Sequence, residues 1–259
     1  MVKRSLLALG FLVAWAPSAS AEPRQFREPS VPALVGFGAL GAWAIGAELF
    51  VPPRSEPSWT MTLGIDDEGR HLLRASSPEG RAGAALASDV LLLGFVALPL
   101  ADAMSRDSGE ARLRTALVDL EALALTGAIV GSLKLATARA RPYTLDGGEH
   151  SGDAFKSFPS GHTAFSFTGA SLFCTQRGLA TWADSLACSG ALAGAATTGI
   201  LRIVADKHHA TDVLAGAAIG GLAGWLVPTL QTTKGSDAQA STAPLVWGTP
   251  TGFVVSGRF

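Results

Sequence analysis

WADSLACSGALAGAATTGILRIVADKHHATDVLAGAAIGGLAGWLVPTL, residues 182–230, is two apolar runs parted by a short polar cluster. The runs predict helices over about Trp182 to Val204 and His208 to Leu230, each near the roughly 20 residues that cross a bilayer core. Both are rich in Ala and Gly, as in Ala215-Gly216-Ala217-Ala218 followed by Gly220-Gly221. Such small residues let helix backbones approach closely in membrane bundles. The polar cluster between them holds Arg202, His208 and Asp212.

Working outward, similar apolar runs predict a helix opening after Pro159 and ending near Arg177, one from Ala111 to Ala138, one from Ser88 to Met104, and one from Val31 to Phe50. Residues 51–87 have no sustained period and read as a loop with a short hairpin around Trp59 to Leu63. Arg139 to Phe158 reads as a polar loop. Gln231 to Ala243 is Ser/Thr/Gly-rich linker, and Pro244 to Phe259 alternates weakly, as a small hairpin would. The expected fold is all-α: a membrane-embedded helical bundle of about six helices with a short C-terminal tail.

Composition agrees with a membrane protein. Of 259 residues, 48% are hydrophobic and 16% charged, against about 25% charged in soluble domains; mean hydropathy is +0.32. A net charge of −1 gives no global field for nucleic acid. Five histidines and two cysteines lack zinc spacing, so no metal site is expected. Lys3 and Arg4, the apolar Leu6 to Ala16, Pro17 and Ala19-Ser20-Ala21 form the pattern of an export signal cleaved after Ala21. The expected organisation is a signal peptide over 1–21, a helical domain over 22–230 and a tail over 231–259. Export exposes Cys174 and Cys188 to an oxidising compartment; the sequence leaves open whether they pair.

Three polar clusters sit at helix ends: Lys134 with Arg141-Pro142, Pro159-Ser160-Gly161-His162, and Arg202 with His208 and Asp212. In an up-down bundle the four helix ends that carry them emerge on one side. The set suits phosphoryl transfer. Lys134, Arg141 and Arg202 supply cations for phosphate oxygens, Arg by a forked grip and Lys as a point charge. Ser160 and Gly161 open a helix, where N–H groups and the dipole favour an anion. His162 is placed to protonate a leaving oxygen. Asp212 lies four residues from His208 on one helical face, so it is expected to hydrogen-bond one imidazole nitrogen and leave the other to attack phosphorus. Taken alone, each cluster also reads blandly, as helix caps or as basic residues snorkelling at membrane ends. Arg139 is read as such a snorkelling residue, His209 as surface or pocket rim, and Asp119 and Glu121 as structural.

The trio resembles the signature of the type 2 phosphatidic-acid phosphatase and vanadium haloperoxidase superfamily, over residues 134–212. The departure is Leu201, where that family carries serine before the arginine. The resemblance implies a phosphatase of the bacterial membrane-associated branch, with His208 forming a phosphohistidine oriented by Asp212 and His162 as general acid and then base. It implies Lys134, Arg141, Ser160, Gly161 and Arg202 as phosphate ligands, with no metal or other cofactor and vanadate as an inhibitor. The expected substrate is a phosphomonoester or diphosphate of a lipid in the bilayer, and the expected place is the cell envelope with an extracytoplasmic site. Alternatives are an exported, soluble, broad-specificity acid phosphatase and a vanadium-dependent haloperoxidase, although the long extra segments of the latter are missing. Neither the oligomeric state nor the particular lipid is legible.

Overall fold

A computed structural model describes residues 24–52, 54–147, 152–179, 181–232, 245–249 and 252–256. The expected leader over 1–21 lies outside them. The described residues form seven α-helices: α1 (Val31–Phe50), α2 (Gly64–Leu73), α3 (Pro78–Ala103), α4 (Gly109–Thr137), α5 (Gly161–Arg177), α6 (Trp182–Val204) and α7 (Ala210–Gln231). A 3₁₀ turn covers Pro142–Asp146, and β1 (Leu245–Thr249) pairs antiparallel with β2 (Gly252–Ser256). The fold is all-α in its body. Helices α3, α4, α6 and α7 are each long and apolar enough to cross a membrane.

The helix starts follow from capping chemistry. Ser77, Ser108 and Ser160 accept hydrogen bonds from backbone N–H groups of the first turns of α3, α4 and α5. Thr181 and Asp184 form a reciprocal box at the start of α6. Gly178, in the left-handed region, ends α5.

Two expectations fail, both before residue 88. The stretch read as a loop and hairpin contains α2, and α3 begins ten residues earlier than the apolar run. The polar residues Glu79 and Arg81 hide the first turns of α3, although Ser77-Pro78 is a proper cap and N1 pair. Helix α2 has no apolar run because its inner face binds through charge. Asp66 accepts from the backbone N–H and the hydroxyl of Thr211, at 2.8 Å each. Arg70 and Arg74 both reach Asp206, at 2.8 and 2.7 Å.

Helices α3, α5 and α7 run one way, and α1, α4 and α6 run the other. The closest pair is α5 with α7. Gly216, Gly220 and Gly224 lie against the backbone of Ser160, Ala164 and Thr168 respectively. A Cβ at Gly224 would come within 2.5 Å of the Thr168 carbonyl oxygen, and one at Gly220 would overlap the Ala164 carbonyl. The glycines are what permit the approach. Gly169 of α5 meets the Phe95 backbone of α3 in the same way.

The interior carries hydroxyls and the exterior carries hydrocarbon. Thr126 and Thr168 are fully buried and hydrogen-bonded at 2.8 Å across α4 and α5, whereas Leu86, Leu93, Leu113, Leu214 and Leu222 are exposed. That inversion suits a lipid surround, where burying apolar groups gives no advantage and interhelical polar contacts contribute about 1 kcal/mol. Asp119 is buried against the Gln176 side chain, and Glu121 accepts from Gln231; both are structural, as expected. Cys174 of α5 and Cys188 of α6 form a disulfide. Cys174 lies 13 residues beyond Gly161, so the bridge stands about 20 Å down the bundle from the start of α5.

Candidate active site

The four predicted helix ends do emerge together, and the middle of α3, at Ser88 and Asp89, joins them. Arg202, in the last turn of α6, links the clusters. Its carbonyl accepts the His208 N–H at 3.3 Å. Its Nη1 donates to Ser88 Oγ at 3.0 Å and lies 3.4 Å from Asp89 Oδ1. That same Asp89 oxygen is 2.7 Å from His162 Nε2. Arg202 therefore joins both histidines, the backbone of His208 through its carbonyl and the His162 ring through Asp89 and its guanidinium.

The remaining predicted residues close around it. Ser160 N–H donates to the Asp212 carbonyl at 3.0 Å, tying the first turns of α5 and α7. A Cβ at Gly161 would lie 3.6 Å from Lys134 Nζ, so the lysine head stands beside the opening of α5. Arg141 donates from Nε to the Asp153 carbonyl at 2.8 Å and from Nη1 to the Lys207 carbonyl at 3.2 Å, while Nη2 pairs with the Asp153 carboxylate at 2.9 Å. Arg202 Nε is buried without a partner among the described residues. An unpaired buried guanidinium N–H is costly and suits an arriving anion.

His208 is not held as the spacing suggests. Its Nδ1 is 2.7 Å from the Ser157 carbonyl, which can only accept, so Nδ1 carries the proton and Nε2 keeps the lone pair. Asp212 Oδ2 stands 3.7 Å away, too far for a hydrogen bond. Asp212 instead accepts from Ser157 Oγ at 2.6 Å and from the His209 backbone N–H at 2.9 Å, and pairs with Arg139. The four-residue spacing does bring the carboxylate near the ring, but the residue-157 segment inserts between them. Burial holds the His208 imidazole neutral, well below its usual value near 6.5, although the nearby Asp212 acts the other way; the Arg141 and Arg202 charges add to the lowering.

Two further readings are corrected. Arg139 does not snorkel: it is 1% exposed, bridges Asp66 (2.8 Å) and Asp212, and stacks 4.2 Å from the Trp59 ring. Two carboxylates reaching it from α2 and α7 make burial tolerable. His209 is buried at the N-cap of α7, with Nε2 3.2 Å from the Ala140 carbonyl, because the α2 and 139–141 segments cover it.

Ser88, Asp89, Asp153 and Ser157 escaped the sequence reading. Asp89 carried a signal, an acid inside an apolar run, which in a membrane helix marks function by default. Beside Lys134, a cavity of about 140 Å³ opens toward Arg54, Phe155 and Lys156.

A membrane-type helical bundle with a cluster of cations and two histidines at one end is thus the class that fold and site define. Residues 116–236 match the sequence model described as the PAP2 superfamily. Over 108 residues it is 41% identical to the lipid A 1-phosphatase of Porphyromonas gingivalis; the match covers 42% of this chain and 22% of that relative. The chain thus spans about a fifth of that relative's length. A solved structure of a transmembrane PAP2-type phosphatidylglycerolphosphate phosphatase from Bacillus subtilis is similar at a TM-score of 0.47 and 20% identity, covering 76% of this chain and 92% of that one.

Proposed function

We propose that the protein is a metal-independent membrane phosphatase that hydrolyses the phosphate ester or diphosphate of a lipid through a phosphohistidine on His208. The observation that carries this is the convergence at Arg202, whose carbonyl accepts the His208 N–H and whose guanidinium shares Asp89 with His162. Lys134, Arg141 and Arg202 would take the equatorial oxygens, with Ser160 and the Gly161 N–H at the positive end of α5. His208 Nε2 attacks phosphorus, and His162 gives its proton to the departing lipid oxygen. Water, deprotonated by His162, then breaks the P–N bond and releases phosphate. Asp212 orients His208 through Ser157. The fixed cations supply the charge stabilisation that a metal would otherwise bring.

The lipid reading is supported by the hydrocarbon exterior around the pocket and by the likeness to a lipid A 1-phosphatase. His208→Ala is expected to abolish phosphate release from a detergent-solubilised lipid phosphate and to remove the acid-labile phosphoenzyme trapped with labelled substrate. Retention of both would refute the nucleophile. EDTA should leave turnover intact while vanadate competes with substrate; strong inhibition by the chelator would overturn the metal-free step.

For orientation we propose a pocket facing out of the cytoplasm. Basic residues stand at both ends, Arg24, Arg27, Arg106, Arg112, Arg114 and Arg177 away from the pocket and Arg54, Arg70, Arg74, Lys156 and Lys207 beside it, so loop charge does not set the orientation; the outward pocket follows from the lipid-substrate reading above. If α1 and α3–α7 all cross, the residues before α1 lie opposite the pocket, so this reading keeps the leader inside and uncleaved. The disulfide favours a second reading, with the far end outside, a cleaved leader and an inward pocket. A cysteine placed at Leu145 and probed in intact cells with a membrane-impermeant thiol reagent separates them: labelling supports the outward pocket, and labelling only after lysis supports the inward one.

A further inference from the structure

We infer that Asp89 is a positioning residue for the general acid His162, an inference that rests on the phosphatase reading above. Asp89 lies on α3, outside residues 116–236 and outside the three polar clusters that define the pocket. It is an acid within an apolar helix, which is costly there unless it is partnered. Its partners are both in the pocket: Oδ1 stands 2.7 Å from His162 Nε2 and 3.4 Å from Arg202 Nη1. The preceding Ser88 is buried and accepts from the same Arg202 Nη1 at 3.0 Å. Consecutive residues of α3 thus hold the proton donor and the phosphate-binding guanidinium in one frame. The bulky Phe95 backbone against Gly169 fixes α3 against α5 two turns further on.

The consequence for proton transfer is specific. Three charged groups from three helices face His162: Asp89 of α3, Lys134 of α4 and Arg202 of α6. Two are cations that oppose an imidazolium, so the carboxylate is what makes a protonated donor tenable. With Nε2–H directed at Asp89, the transferable proton sits on Nδ1. As the P–O bond breaks, its electron pair goes to the leaving oxygen, which takes the Nδ1 proton. The ring is left neutral with Nε2–H still on Asp89, and the Nδ1 lone pair then accepts a proton from the attacking water.

Up to departure of the leaving group, the stretch that kcat/KM reports, a residue acting through the acid matters only where that group needs a proton. Asp89→Asn should lower kcat/KM for dioctanoyl phosphatidic acid, whose alkoxide must be protonated, by about 100-fold. It should lower kcat/KM for p-nitrophenyl phosphate, whose phenolate leaves unprotonated, by less than about 3-fold, the water step being common to both. Asp89→Glu should recover part of the first loss. Asp89 is half exposed, so the variant should fold, and a monodisperse peak in detergent checks this. Equal losses on both substrates, or no loss on either, overturn the inference while leaving the phosphatase reading intact. If the wild-type protein hydrolyses neither, the phosphatase reading itself fails and takes the inference with it.

Discussion

Asp212 and His208 are 3.7 Å apart, with Ser157 serving both: its carbonyl takes the ring proton and its hydroxyl donates to the carboxylate. The aspartate therefore steadies the nucleophile through an intermediary. Ser157→Ala should lower kcat about tenfold, the loss of one weak charge-assisted hydrogen bond of about 1.4 kcal/mol, with little change in KM. A neutral outcome in steady-state phosphate release would mean that the ring is held by the carboxylate directly.

Arg139 is the buried counter-charge of two carboxylates, Asp66 and Asp212. Removing it strands both. Arg139→Ala should cost about 3–5 kcal/mol of stability, read as a collapse of the melting midpoint in detergent. Arg139→Lys should recover only part, since an ammonium cannot reproduce the fork and the stack on Trp59. Wild-type melting of the alanine variant would refute the role.

His208 is kept neutral by burial, with its proton affinity well below the ordinary value near 6.5. The unfolded chain binds that proton first as pH falls, so the stability linked to this group is full above about pH 6.5 and is lost below it. The melting midpoint should fall between pH 7 and 5, and His208→Asn should fall less steeply, the difference not exceeding about 1.4 kcal/mol per pH unit. Parallel pH profiles for the two proteins would contradict this.

Gly220 has no room for a methyl group, because Ala164 backbone occupies it, whereas Gly190 of α6 meets nothing within 4 Å. Gly220→Ala should sharply reduce both the yield of folded protein and its phosphate release. Gly190→Ala should change neither. Equal tolerance at the two positions would show that α5 and α7 are not in backbone contact.

Much of this was legible before any coordinates. The ends of α1, α4, α5, α6 and α7 are marked by caps and apolar runs, and the three polar clusters meet where an alternating bundle must bring them. What escaped has one cause. Asp66, Arg70, Arg139 and Asp206 are bound by partners 73 to 145 positions away in the chain, and a buried charge looks like a surface charge until its counter-ion is known. The α2 segment was lost for that reason. Ser157 was lost because its backbone carbonyl, rather than its side-chain type, performs the contact with His208.

The glycine seam between α5 and α7 has a consequence for how a bulky molecule could get in. Because the strips bearing His162 and Asp212 are welded through Ser160 N–H to the Asp212 carbonyl, the reacting groups cannot part to admit it. The opening that remains is the cavity beside Lys134, between the end of α1 and the 152–156 segment.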